Sequence, residues 1–379
     1  MNLENYQAGK YIRQDGYNSF LPEKINKEWT WRDPEINTLL EKANQSLGGL
    51  NSYSDLIPNI DIYIALHLKT EAHKSNKIEG TKTTIEEDLM KIEDLSPEKR
   101  DDRIEVQNYI LAMNEGINKI TKENFPLSSR LIRELHRTLL QGARGEHKTP
   151  GEFRKSQNWL GGASPSSAVY VPPSHIDVPE LISDLEFFMN NDKINVPDLI
   201  KIALIHYQFE TIHPFLDGNG RMGRLLIPLY LLERRVLSKP CFYISDYFEK
   251  NRSMYYDLLT RVRQNNDMLA WIKFFLKASI STSDIAKDKF RRVVDLVEGY
   301  RKWEYELRGK PENIQKIFLE FYNNPILSVS DLEQATGLSR SAVRNVVNQL
   351  EEKNIVVETT GFSRNKLYLL KDYFMIFAE

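Results

Sequence analysis

The sequence predicts a mainly α-helical chain with one short β-hairpin in its body and a small mixed α/β module at its C-terminal end. Apolar residues recur at three- and four-residue spacing along most of the 379 positions, as they do in helices that bury one face. Strand-prone runs bounded by Gly, Ser and Pro are confined to 151–173 and to the region after 355. With 41% hydrophobic residues, the chain can fill two or three compact cores.

In chain order, residues 1–60 read as an irregular N-terminal arm that packs back through Trp29 and Trp31. A body over 61–280 opens on a helical run from Ile62 to Lys77, which Gly80 is placed to stop, because glycine adopts the left-handed conformation that ends helices. The stretch from Gly151 to Gly162 and the run Ala168-Val169-Tyr170-Val171-Pro172-Pro173 read as two sides of a hairpin with an exposed edge, which an extended segment of another protein can join as a strand. Leu199, Ile202, Ala203, Ile205 and Phe209 mark a helix over 199–212, and Leu225, Leu226, Leu229 and Leu232 mark the next. Trp271 to Leu276 closes the body, and a charged helical linker over 281–310 ends at Gly309-Lys310-Pro311. Residues 311–379 give a helix from Ile314, a serine-capped helix from Ser330 to Gly337, and an amphipathic helix reaching Glu352. Two β-rich pieces, 355–359 and 366–370, follow about a turn at Gly361. That order looks like a winged helix-turn-helix.

Composition narrows the function. A formal charge of −2 implies no global polyanion partner. The single cysteine, Cys241, excludes an intrachain disulfide framework. The chain shows no apolar signal segment and no span of about twenty apolar residues, so the expectation is a soluble cytoplasmic protein with no membrane partner. The seven histidines lack the spacing of a zinc site, and His206 reads as a packed helix residue.

The chemistry concentrates in His213-Pro214-Phe215-Leu216-Asp217-Gly218-Asn219-Gly220-Arg221-Met222-Gly223-Arg224, between the two apolar helices. A glycine-rich turn at a helix start aims unpaired N–H groups and the positive end of the helix dipole at whatever lies in front, so Gly218, Asn219 and Gly220 form an anion cradle. Arg221 and Arg224 are three apart and can leave the first turn on one face to fork onto phosphate oxygens. Asp217 is a hard oxygen ligand suited to magnesium. His213 carries an imidazole, which titrates near neutral pH and can accept a proton from an attacking hydroxyl. Together these parts point to nucleotidyl or phosphoryl transfer, whereas a plain turn between core helices would need only the glycines.

The same run resembles, residue for residue, the signature of the Fic family, His-Pro-Phe-x-Asp/Glu-Gly-Asn-Gly-Arg-x-x-Arg. The resemblance implies a Fic-like helical bundle and a protein adenylyltransferase that moves AMP from ATP to a Ser, Thr or Tyr hydroxyl of a target protein or of itself. It implies His213 as general base, Asp217 as the Mg2+ ligand, and the 218–224 loop, Met222 and Gly223 included, as the phosphate cradle for ATP. Arg224 would reach the γ-phosphate and Phe215 would anchor the loop. Gly151 to Gly162, with Ala168, Val169, Tyr170 and Val171, is similar to the family's target-docking flap. The stretch Tyr243 to Tyr256 resembles the part that receives the nucleoside, which makes Asn251 a candidate for hydrogen bonding to adenine or ribose, while Tyr255 and Tyr256 read as core aromatics. Upstream, Ser75-Asn76-Lys77-Ile78-Glu79-Gly80 resembles the family's inhibitory motif, Ser/Thr-x-x-x-Glu-Gly/Asn. The implied role of Glu79 is to sit in the ATP site, pair with Arg224 and displace the γ-phosphate, within one chain or across a homodimer. On the residues alone, Glu79 is equally a solvated carboxylate at a helix end.

A rival function comes from the C-terminal module: a DNA-binding transcriptional regulator in which Arg340 and Arg344 on the third helix, with Arg364 and Lys366 on the wing, meet phosphates or base edges. Seven Lys and Arg against nine Asp and Glu over 311–379 weigh against it, because phosphate attraction dominates DNA affinity. A further alternative within the resemblance is the removal of AMP, with Glu79 activating water.

Overall fold

The computed structural model describes residues 1–378 apart from 58, 91, 143–146 and 362–365. It opens on an antiparallel hairpin, β1 (Gly9–Arg13) and β2 (Asn18–Pro22), followed by α1 (Pro34–Leu56). Asp33 caps α1 by accepting from the N–H groups of Glu35 and Ile36, and Pro34 occupies the first turn, where no N–H is needed. The expected irregular arm is therefore ordered from Pro34 onward. Its apolar stripe (Ile36, Ala43, Leu47, Leu50) is thinned by polar residues and Gly48-Gly49, which hides the periodicity.

The body continues with α2 (Ile60–Glu79), α3 (Ile85–Leu89), α4 (Pro97–Thr121) and α5 (Ser129–Leu139). Gly80 ends α2 at φ 102°, as its position in the sequence predicts. After a long loop come α6 (Val178–Asn190), α7 (Asp198–Ile212), α8 (Asn219–Glu233), α9 (Ser245–Lys250), α10 (Arg252–Asn265) and α11 (Met268–Tyr300). Helix α7 is the axis of the core, with every residue from Leu199 to Ile212 buried. Its one lysine, Lys201, threads its ammonium out to the Asn191 carbonyl, 3.1 Å away. Helix α11 runs unbroken through residue 280, so the expected body–linker border falls inside one 33-residue helix.

The expected flap hairpin is a loop closed by a single antiparallel bridge between Leu160 and Tyr170. Gly161 and Gly162, at φ 67° and 75°, turn the chain. The Val171 carbonyl already accepts from the Phe20 N–H of β2 at 2.9 Å, so no longer ladder forms there.

Beyond the short α12 (Trp303–Glu306), the C-terminal residues fold as α13 (Pro311–Asn323), β3 (Ile326–Ser328), α14 (Val329–Thr336), α15 (Arg340–Glu352), β4 (Val356–Glu358), β5 (Leu367–Leu370) and α16 (Lys371–Ala378). The three strands form an antiparallel sheet in the order β3-β5-β4. Ser328, rather than Ser330, caps α14; Ser339 caps α15. The module packs directly on α2, where Tyr63 meets the rings of Tyr322 and Tyr373. Among the described residues, no helix is long and apolar enough to cross a membrane.

Candidate active site

His213 terminates α7 in the left-handed conformation at φ 49°, a backbone that costs a residue with a side chain about 1 kcal/mol or more and must be held from outside. Arg154 holds it. Its buried guanidinium donates to the His213 carbonyl at 2.9 Å and to Pro173 at 2.6 Å, and its N–H bonds the Pro214 carbonyl at 2.9 Å. Phe215 is fully buried and stacks on the His136 ring with centroids 3.6 Å apart. His136 accepts the Gly151 N–H at Nδ1, so its Nε2–H donates to the Asp217 carbonyl, each at 2.9 Å. The Asn219 side chain turns inward, pairing with both the N–H and the carbonyl of Phe215 at 2.9 Å. Of the expected cradle residues, Asn219 therefore offers its backbone rather than its amide group.

Gly218 starts α8 at φ 73°, and the free N–H groups of residues 219–221 open from the helix end. A carboxylate is already there. A Cβ on Gly220 would lie 2.2 Å from Glu79 Oε1, so the glycine is required for Glu79 to approach the backbone. Glu79 Oε1 lies 2.6 Å from Nη2 of Arg224, which also donates from Nε to the Ser75 hydroxyl and from Nη2 to the Ser75 carbonyl, both at 2.9 Å. Arg224 is 1% exposed and Glu79 35%. The expected Glu79–Arg224 pair is thus present within a single chain. Arg221 points elsewhere: Nη1 meets Glu105 of α4 at 3.1 Å, and Nη2 lies 3.6 Å from Asp217. The two arginines do not fork outward side by side.

Burial alone would push the Glu79 carboxyl up, but the Arg224 guanidinium outweighs it and holds Glu79 below the usual carboxylate range. Burial lowers the His213 imidazole to about 4, so it is neutral at physiological pH. Its Nδ1 lies 3.3 Å from the Glu210 carbonyl, which leaves Nε2 as the basic nitrogen. Burial raises the Glu210 carboxyl to about 7, and its Oε1 has no hydrogen-bond partner among the described residues. The Asp217 side chain is 43% exposed, with Oδ1 accepting the Gly218 N–H at 2.6 Å.

The remaining candidates disperse. Met222 is core and Gly223 packs under Glu210. Tyr255 is buried, its hydroxyl 2.9 Å from His206, as expected of core residues. Asn251 caps the α9–α10 junction, donates to the Tyr247 carbonyl at 2.9 Å, and lines a cavity with His67 and Lys74, on a face of α2 other than the one meeting Arg224. Burial pushes the Tyr256 hydroxyl up to about 12, with Glu79 adding to the effect. In the flap, Val169 is exposed and Ala168 half-buried, whereas Tyr170 and Val171 are buried and the Arg263 guanidinium lies 4.0 Å from the Tyr170 ring centre. Arg340, Arg344 and Lys366 are exposed on the C-terminal module, and Arg364 lies outside the described residues. Sequence reasoning gives no role to Arg154, His136, Glu105 or Glu210, because each acts through contacts far along the chain.

With this geometry in place, comparison with known proteins is informative. Residues 126–231 match the Fic/DOC family and residues 37–118 match the Fic/DOC family N-terminal. Two relatives named Protein adenylyltransferase Fic, from Drosophila grimshawi and Drosophila mojavensis, are 31% and 30% identical over 189 residues, 48% of this chain. Those residues are 35% and 34% of the two relatives, so the match spans about a third of their length. A Fic family protein from Desulfovibrio desulfuricans G20 shares the fold over 91% of this chain and 98% of its own, with a TM-score of 0.57 and 23% identity. A Fic domain containing signaling protein from Bacteroides thetaiotaomicron VPI-5482 does so over 67% and 95%, with a TM-score of 0.54 and 22% identity.

Proposed function

We propose that this chain, a member of the Fic/DOC family, transfers AMP from ATP to a hydroxyl of a target protein or of itself, and that Glu79 restrains the reaction. One observation carries the reading: the Glu79 carboxylate lies over Gly220 at the start of α8 and pairs with the buried Arg224. Its oxygens stand where phosphate oxygens would be received, so the residues fit an anion by direct example. With Glu79 withdrawn, the N–H groups of 219–221 and the Arg224 guanidinium are free to hold the end of a triphosphate.

Neutral His213 then takes the proton of the target hydroxyl at Nε2. The hydroxyl oxygen forms a bond to the α-phosphorus while the bond from that phosphorus to the pyrophosphate oxygen breaks, so pyrophosphate leaves and AMP stays on the side chain. Asp217, an exposed oxygen donor, would hold a magnesium ion, which supplies charge neutralisation to the leaving group. Arg154 keeps the His213 carbonyl, and with it the ring, in register. The exposed Val169, with the half-buried Ala168 beside it, is the flap's contribution to docking an extended target.

Removal of AMP is a second reading, supported by the 35% exposure of Glu79, which leaves a carboxylate in reach of water at the same place. The C-terminal helix–strand–helix–helix–strand–strand order supports a winged helix, with exposed Arg340 and Arg344 as its candidate DNA contacts. Intact-mass spectrometry of Glu79→Gly incubated with ATP and magnesium tests the main reading. An AMP adduct supports it; an unmodified variant, together with wild-type protein that strips AMP from a modified substrate, reverses the direction of the chemistry.

A further inference from the structure

On another face of α2, away from Arg224, Lys69 lines a cavity of about 360 Å3 together with Arg103 of α4, Asp88 and Asn324, over the apolar side chains of Leu89 and Ile110. Among the described residues, its polar groups are incompletely satisfied. Arg103 is 9% exposed and bonds the Met90 carbonyl through Nε at 3.2 Å, yet its Nη1 is buried without a partner. Lys69 gives one of its three protons to the Asn323 carbonyl at 2.9 Å. Oδ1 of Asp88 and Oδ1 of Asn324 are buried acceptors without donors, the other Asp88 oxygen lying 2.5 Å from His73 Nδ1. Two cations thus face one another across the cavity: burial, and then Arg103, push the Lys69 ammonium down to about 8. Unpaired buried donors and acceptors are costly, and a cavity that holds both kinds is complementary to a ligand that both accepts and donates.

We propose that this cavity binds a small phosphate compound carrying one proton on the phosphate. Its unprotonated oxygens accept from Arg103 Nη1 and the Lys69 ammonium. Its P–OH donates to Asp88 Oδ1 or Asn324 Oδ1. Singly protonated inorganic phosphate matches sulfate in shape and charge, but sulfate has no proton to give, so it leaves Asp88 facing an anion with nothing between them. The apolar floor suits a phosphate monoester, whereas inorganic phosphate uses only the polar end. A filled cavity ties the helix that carries Glu79 to α4 and to the turn after α13; that this also restrains Glu79 rests on the reading above, while the binding itself does not.

Isothermal titration calorimetry of the full chain near pH 6, where a phosphate monoester keeps its proton on about half of its molecules, tests the binding independently of AMP transfer, with inorganic phosphate, phenyl phosphate and sulfate as probes. Saturable binding of one or both phosphates is expected, with sulfate at least about tenfold weaker and Arg103→Gln and Lys69→Gln each weakening phosphate at least about tenfold. Asp88→Asn should bring sulfate to within about threefold of phosphate. The tighter of the two phosphates identifies the source. Absence of saturable phosphate binding, equal binding of sulfate to the wild type, or binding that survives both cation variants and so belongs to the α8 start overturns the proposal. A thermal melt checks that Arg103→Gln folds, and Lys69→Gln carries the test if it does not.

Discussion

Replacing Glu79 by glutamine keeps the length of the side chain and the helix while removing the charge opposite Arg224. The two groups touch at 2.6 Å, and charge centres roughly 4 Å apart at an effective dielectric of about 20 attract by about 4 kcal/mol. Because 35% of the Glu79 side chain is exposed, solvent screens part of this, leaving about 2–3 kcal/mol as the work needed to clear Arg224 for a phosphate. If that work is part of the barrier to transfer, Glu79→Gln should raise the rate of self-labelling from radioactive ATP by roughly 30- to 150-fold. Glu79→Gly should do at least as much, since it also removes the carbonyl and amide. Arg224 keeps its two bonds to Ser75, so both variants should remain folded, which a circular dichroism melt verifies. A change of less than about threefold in both folded variants, well below the pair energy, would refute the autoinhibitory reading.

Other consequences follow from the same geometry. His213→Ala in the Glu79→Gln background should cut labelling by about 100-fold or more, because the other imidazole beside the loop, His136, has both nitrogens engaged by Gly151 and Asp217; retention of most activity excludes His213 as the base. Since burial holds the His213 imidazole at about 4, the labelling rate of Glu79→Gln should stay level as pH falls from 7 to about 5, and an acid limb centred near 6.5 would contradict that environment. Glu210 is raised from 4.5 to about 7 in the folded chain, so the folded state binds the extra proton and stability is lost as pH rises through that window. Glu210→Gln should therefore lose less stability than the wild type between pH 5 and about 7.5, read as the difference in urea midpoints; parallel pH profiles would show that Glu210 is not held protonated.

What the sequence makes legible is local. The loop from His213 to Arg224 can be read because its backbone demands and its chemistry lie within one short segment, and the flanking helices announce themselves by apolar spacing. Gly80 and Gly337 mark helix ends because a left-handed residue there is a local requirement. Long-range partners are not legible. Arg154 bonds backbone carbonyls, and every residue has one, so nothing in the sequence names Pro173 or His213 as its acceptors. Arg221 turns to Glu105, which sits on a different helix and carries no pattern of its own. Asn219 looks like a ligand donor by type, yet its amide is consumed by Phe215. Asn251 gives its amide to Tyr247 across the turn between α9 and α10, a partner that its residue type does not name. Helix α1 escapes notice for a different reason, its few apolar contacts being spread over 23 residues.

Everything here depends on Glu79 and the end of a triphosphate competing for Arg224 and the amides that open α8. A crystal structure of Glu79→Gln grown with ATP and magnesium addresses that directly. The terminal phosphate should lie within hydrogen-bonding distance of the Arg224 guanidinium, the inner phosphates over the amides of residues 219–221, and the α-phosphorus facing His213 Nε2. Nucleotide bound elsewhere while Arg224 and that helix end stay untouched would contradict it.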